Sequence, residues 1–307
     1  MSGMWSVGKG ARIALVSPAG AVKAARVRAG VKALKAAGYK PVLMPHALAQ
    51  GPLYYAGTAA ERAADLVAAF RDKSIAAVVC TRGGWGSAEL LPLLDAKVFR
   101  GNSKPFVGYS DHTTLHIWLQ QRAGLKTFYG PMVSADWARE GGVDFGSWDA
   151  ALSGGSAWIL DGDQGLEAMQ KGTAKGVLRG GCLSILAESL GTPYAYRPQK
   201  DTILFLEDVN HKPYQWDRQL LHLKLAGALK GVKGIVFGDM GQCVSAPAER
   251  KLMLEALRHG LRGFRGPVAI GLRSGHVDGA NVTLPLGAPA SLVVDANGAT
   301  LALGEEG

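Results

Sequence analysis

The chain has 307 residues, of which 48% are hydrophobic and 19% charged. That is the profile of a folded chain with a sizeable core and room for two ordinary domains or one large one. No run approaches the ~18 apolar residues of a membrane span, and Cys80, Cys182 and Cys243 are scattered, without CxxC spacing, so a disulfide framework and a structural zinc site are both disfavoured.

The net charge is +9, from 34 basic and 25 acidic residues. In residues 1–40 the basic side chains interleave with Val22, Ala25, Val27, Val31 and Leu34. That spacing describes the wet side of an amphipathic helix rather than a nucleic-acid stripe, although attraction for acidic substrates stays open. The stretch 13–22 follows Lys9 and Arg12, as a signal peptide does, but Ser17, Pro18 and Gly20 break its apolar run. A strand ending in a turn explains it better, and a cytoplasmic location is expected.

In chain order, short apolar runs at 13–16, 42–44, 75–80, 105–108 and 127–129 predict strands. Helical patterns lie between them at 22–37, 59–71, 87–94 and 111–122. Apolar strands alternating with helices predict a doubly wound, mostly parallel α/β domain over 1–140. The pattern weakens over 141–175, where Gly141, Gly142, Gly154, Gly155, Gly162, Gly165 and Gly172 disperse among polar residues; a connecting segment is expected there. Strands at 203–206, 234–237, 268–271, 291–294 and 299–303 then predict a strand-rich α/β domain over 176–307.

Four segments carry residues suited to chemistry. Gly108-Tyr109-Ser110-Asp111 reads as a strand, a tight turn and a helix start. A serine there is either a helix cap or an exposed nucleophile over the free N–H groups of a helix N-terminus. Arg82-Gly83-Gly84-Trp85-Gly86-Ser87 follows a strand and opens a helix, at the sheet edge where ligands gather. Its glycines suit a plain turn, a phosphate or an oxyanion; the lysine of a Walker loop is missing. Glu207 and Asp208 end an apolar strand, where a buried carboxylate needs a partner: a salt bridge, with Arg218 one choice, or a histidine to orient. His276 sits in a polar loop, Gly275-His276-Val277-Asp278. His112 and His116 are spaced i,i+4 but have neither a HExxH pattern nor a third ligand nearby, and read as helix residues.

Taken with Gly180-Gly181-Cys182-Leu183-Ser184, Asp217-Arg218 and the run from His276 through Asn281, Thr283, Leu284 and Pro285, these segments resemble the LD-carboxypeptidase family of serine peptidases. That family includes muramoyltetrapeptide carboxypeptidases and microcin C self-immunity peptidases. The resemblance implies a Ser110–His276–Glu207 triad, an oxyanion held by the N–H groups of Asp111 and Gly84, and substrate contacts at Gly83 and Trp85. It implies no cofactor or metal, a homodimer, and a small anionic peptide substrate: a murein tetrapeptide cut before its terminal D-Ala during peptidoglycan recycling. The alternatives are an aminoacyl- or peptidyl-nucleotide analogue, as in the immunity branch, or a non-hydrolytic phosphate- or ligand-binding protein. Trp85 stands where Tyr is usual in the family, and His112 where an aliphatic residue is common.

Overall fold

A computed structural model describes residues 6–152 and 158–304. The chain divides into two compact units, Met1–Ser156 with Gly279–Leu286, and Ala157–Asp278 with Gly287–Gly307.

The first unit alternates β1 (Arg12–Val16), α1 (Ala24–Ala36), β2 (Lys40–Leu43), α2 (Ala59–Arg71), β3 (Ile75–Cys80), α3 (Ala96–Arg100), β4 (Phe106–Gly108), α4 (Thr113–Trp118), β5 (Thr127–Tyr129) and α5 (Phe145–Leu152). Strands β5-β4-β3-β1-β2 are parallel neighbours in that order. Side chains of β1, β3 and β4 are almost all buried, which explains why their sequences are apolar throughout rather than alternating. Helix α2 begins where Thr58 and Glu61 satisfy each other's backbone N–H groups in a capping box. Its C-terminal region is closed by the buried Lys104, whose ammonium donates to the carbonyls of Ala69, Asp72 and Ile75 at 3.1, 2.7 and 2.9 Å.

The second unit holds β6 (Trp158–Leu160), β7 (Glu167–Gln170), β8 (Gly172–Cys182), α6 (Leu183–Ser189), β9 (Thr202–Glu207), α7 (Pro213–Leu225), β10 (Val232–Gly238), α8 (Pro247–Gly260) and β11 (Val268–Leu272). The chain then returns to the first unit with β12 (Leu284–Leu286), which pairs antiparallel with β5, before β13 (Pro289–Val294) and β14 (Ala299–Leu303) finish the second sheet. That sheet runs β6-β14-β13-β8-β9-β10-β11-β7, with β8 to β11 parallel and antiparallel strands on both flanks. The fold is the expected one: a doubly wound, mostly parallel α/β unit and a strand-rich α/β unit.

Local readings differ in three places. The helix expected over 87–94 is a 3-10 segment containing Pro92, which cannot donate the bond an α-helix needs there. The helix expected over 111–122 is split into a 3-10 turn, α4 and a π turn that ends at Gly124 with φ 70°. The stretch read as a connecting segment is divided between the units: α5 belongs to the first, and β6, β7 and the start of β8 to the second. Gly154 and Gly155 lie outside the described residues.

Candidate active site

In the first unit, β4 runs into a bend at Tyr109 and Ser110, after which α4 begins. Ser110 has φ 65°, a left-handed conformation that costs a non-glycine residue on the order of 1–2 kcal/mol. Its N–H is fixed by the Tyr129 hydroxyl of β5 at 3.0 Å. Its side chain caps neither the 3-10 turn nor α4, so the capping role weighed for this serine is not the one it takes. Asp111 turns its buried carboxylate to the Ser87 N–H, 2.8 Å away.

The glycine loop at 82–87 lies against this bend. A Cβ on Gly83 would sit 2.9 Å from Ser110 Cβ and 3.1 Å from its Oγ, so only a bare backbone allows so close an approach. Gly84 follows with φ 101°. The Gly83 carbonyl accepts the Gly20 N–H at 3.1 Å. Arg62 lies almost fully buried on the other side, donates to the carbonyls of Pro18 and Gly86 at 2.8 Å each, and pairs with Glu89. Trp85 is 40% exposed.

Two histidines sit under the bend, both with no solvent exposure. His116 Nε2 lies 2.8 Å from the Gly108 carbonyl. His112 places Nε2 2.9 Å from the Arg82 carbonyl and Nδ1 3.2 Å from Ser87 Oγ. Burial pulls their pKa values down, to about 3 for His112 and about 4 for His116, so both rings are neutral near pH 7. Nearby, Asp136 accepts the Met132 N–H at 2.9 Å and the Asn281 side-chain amide at 3.2 Å, and the Tyr109 side chain also bonds to it. Burial lifts its pKa to about 6 against the opposing pull of these donors and Arg139.

In the second unit, Glu207 ends β9, fully buried. One of its oxygens lies 3.0 Å from the His276 backbone nitrogen and 2.8 Å from His276 Nδ1. A carboxylate oxygen accepts, so Nδ1 carries the proton and Nε2 keeps its lone pair. Two glycines make room for this arrangement. A Cβ on Gly238 would come within 2.6 Å of Glu207 Cβ, and one on Gly275 within 2.5 Å of its carboxyl carbon. Of the two partners weighed for Glu207, the histidine is therefore the one present; Arg218 instead lies over the Tyr214 ring.

Asp208 turns the other way. It accepts the N–H groups of Ser184 and Val209 and pairs with His211 at 3.2 Å. Burial works to raise its pKa, but these partners, His211 foremost, hold it below the usual carboxylate value. The structuring roles of Tyr129 and Arg62 carried no motif in the sequence, because each depends on partners distant along the chain.

Residues 13–130 match the LD-carboxypeptidase N-terminal domain, and residues 175–292 the LD-carboxypeptidase C-terminal domain. A Streptomyces coelicolor protein named as a carboxypeptidase is 40% identical over 301 residues, covering 95% of this chain and 93% of its own. The murein tetrapeptide carboxypeptidase of Pseudomonas aeruginosa is 31% identical over 245 residues, covering 76% of this chain and 77% of its own. The crystal structure of an MccF-like protein from Bacillus anthracis str. Ames matches with a TM-score of 0.88 at 25% identity, covering 98% of each chain. These matches define the class: a serine carboxypeptidase of mixed α/β fold. Within that class the chain belongs to the LD-carboxypeptidase family, and the non-hydrolytic alternatives fall away.

Proposed function

We propose that the protein cleaves the bond between the L-centre and the terminal D-Ala of murein tetrapeptides, with Ser110 as nucleophile, His276 as base and Glu207 as the group that orients the base. The observation that carries this reading is a histidine whose Nδ1 is committed to a buried carboxylate; taken by itself, the strained Ser110 at a strand-to-helix bend is also in keeping with it.

Ser110 Oγ attacks the carbonyl carbon of the L-centre while its proton passes to His276 Nε2. The carbonyl oxygen becomes an oxyanion, held by the N–H groups of Asp111 and Gly84; each such donor is typically worth ~3 kcal/mol in the transition state. The C–N bond then breaks, His276 gives its proton to the D-Ala amine, and water releases the acyl group from Ser110 by the same steps. Gly83 permits the carbonyl's close approach to Ser110, and Trp85 contacts the rest of the peptide. The net charge of +9 favours an anionic peptide. The chain acts in the cytoplasm, as a homodimer, in peptidoglycan recycling. Among the described residues no helix is long and apolar enough to cross a membrane.

The second reading keeps the same family and changes the substrate, to an aminoacyl- or peptidyl-nucleotide analogue. Release of D-Ala from L-Ala-γ-D-Glu-meso-diaminopimelate-D-Ala, followed by mass spectrometry for wild type and Ser110→Ala, tests the first reading. Release by wild type alone is expected. Release by both variants sinks Ser110 as nucleophile; release by neither, both being folded, moves the substrate to the nucleotide analogues.

A further inference from the structure

We infer that His112 is a positioning residue for the candidate oxyanion loop, tying both ends of the glycine segment to the turn that carries Ser110. The inference rests on the reading that Gly84 N–H faces the oxyanion. Residues 83, 84 and 86 are glycines, and Gly84 and Gly86 hold φ values of 101° and 132°. Such a segment has more backbone freedom to lose than any other composition. Its N–H groups stabilise charge in a transition state only if they are aimed before the charge appears.

The imidazole of His112 meets that need with its two nitrogens. The Arg82 carbonyl can only accept, so Nε2 carries the proton and donates to it. The neutral ring then has a lone pair on Nδ1, which receives the Ser87 hydroxyl. Arg82 stands immediately before Gly83, and Ser87 immediately after Gly86. One rigid ring, two residues beyond Ser110, therefore bridges both ends of the loop to the nucleophile's own turn. Its fit is tight on the far side too: a Cβ on Gly108 would lie 2.8 Å from His112 Cδ2. Neighbouring bonds reinforce the frame, with Asp111 on the Ser87 N–H and Arg62 on the Gly86 carbonyl. An aliphatic side chain at 112 can fill the space but can make neither bond.

The test compares wild type, Ser110→Ala, His112→Leu, His112→Gln and Ser87→Ala by D-Ala release and by the rate at which a fluorophosphonate labels Ser110. His112→Leu is expected to keep KM within about twofold while kcat and the maximal labelling rate fall about 10- to 100-fold, part of what losing an oxyanion donor outright costs. His112→Gln, whose amide N–H reaches towards the Arg82 carbonyl, is expected to recover most of that loss. Ser87→Ala, which keeps the Arg82 bond, is expected to lose about threefold and serves as the readout should His112→Leu fail to fold. Unchanged kcat and labelling in His112→Leu or Ser87→Ala overturn the inference, as does a loss shared equally by kcat and KM that Gln does not relieve. A wild type that does not label at Ser110 overturns the nucleophile reading itself, whereas labelling without D-Ala release displaces only the murein substrate and leaves the labelling rates to decide on His112.

Discussion

Ser110 is held through its own main chain, His276 through its ring as well. Around Ser110 the constraints act at the backbone and Cβ: its own φ of 65°, the Tyr129 hydroxyl that accepts its N–H, and a glycine pressed against its Cβ. Around His276 one carboxylate does the fixing, and glycines at 238 and 275 clear space for it. The difference fits the roles proposed for the two residues. A nucleophile needs a direction, which backbone geometry sets; a base needs a tautomer, which an acceptor on the opposite ring nitrogen sets.

Replacing the acceptor while keeping its shape is the sharpest way to break this comparison. Glu207→Gln puts an amide opposite Nδ1 and releases the tautomer. We expect kcat to fall on the order of 10⁴-fold with Ser110 still in place, the magnitude seen when a triad carboxylate becomes an amide. A pH–rate profile and an unchanged melting temperature would separate this from unfolding; a fall of less than tenfold would remove Glu207 from the mechanism.

On the main-chain side the matching change is Gly83→Ala. Gly83 does not hold a left-handed φ, so alanine is tolerated by its backbone, and the added methyl meets Ser110 itself. Activity should drop on the order of 10²-fold while thermal unfolding moves by only a few degrees. Full activity in this variant would mean that the loop is not seated on the nucleophile as described.

A smaller effect concerns stability alone. Asp136, buried at the Tyr109 and Asn281 side chains, has its pKa raised from 3.8 to about 6. Between these values the folded chain keeps a proton that the unfolded chain has lost. This group's contribution therefore makes the protein less stable as pH rises from about 4 to 6, by about 3 kcal/mol for a two-unit shift. Asp136→Asn should flatten that part of the profile, and denaturant titrations of both proteins at pH 4 and 7 would show it. Parallel profiles would place the Asp136 pKa near its ordinary value.

Much of the nucleophile's surroundings was legible from sequence. Continuous apolar strands such as β3 and the Gly-Tyr-Ser-Asp turn announce themselves through composition and local chain reversal. The long strand β8 did not. Its start, 172–175, falls in the stretch read as a connector, and glycines at 176, 180 and 181 interrupt the apolar run that would have marked the rest as a strand. In the structure these positions let β9 pass close by: a Cβ on Gly176 would lie 2.1 Å from the Asp201 carbonyl oxygen, and one on Gly180 1.9 Å from that of Phe205. Glycine marked contact there rather than looseness. The partners of His112 and Asp136 were hidden for another reason. Their bonds span 30 and 145 positions of sequence, distances over which no periodicity reports.

Strand β12 also bears on how the chain is made. Its three residues are buried, and they pair with β5 along what is otherwise an open border of the first sheet. A ribosome finishes β1 to β5 long before it reaches Leu284. Until then the nascent first unit displays an unsatisfied, apolar strand edge, the kind of surface that recruits strands from other chains. A fragment ending at residue 156 should therefore aggregate, and adding a peptide that spans residues 279–286 during refolding should keep it in solution.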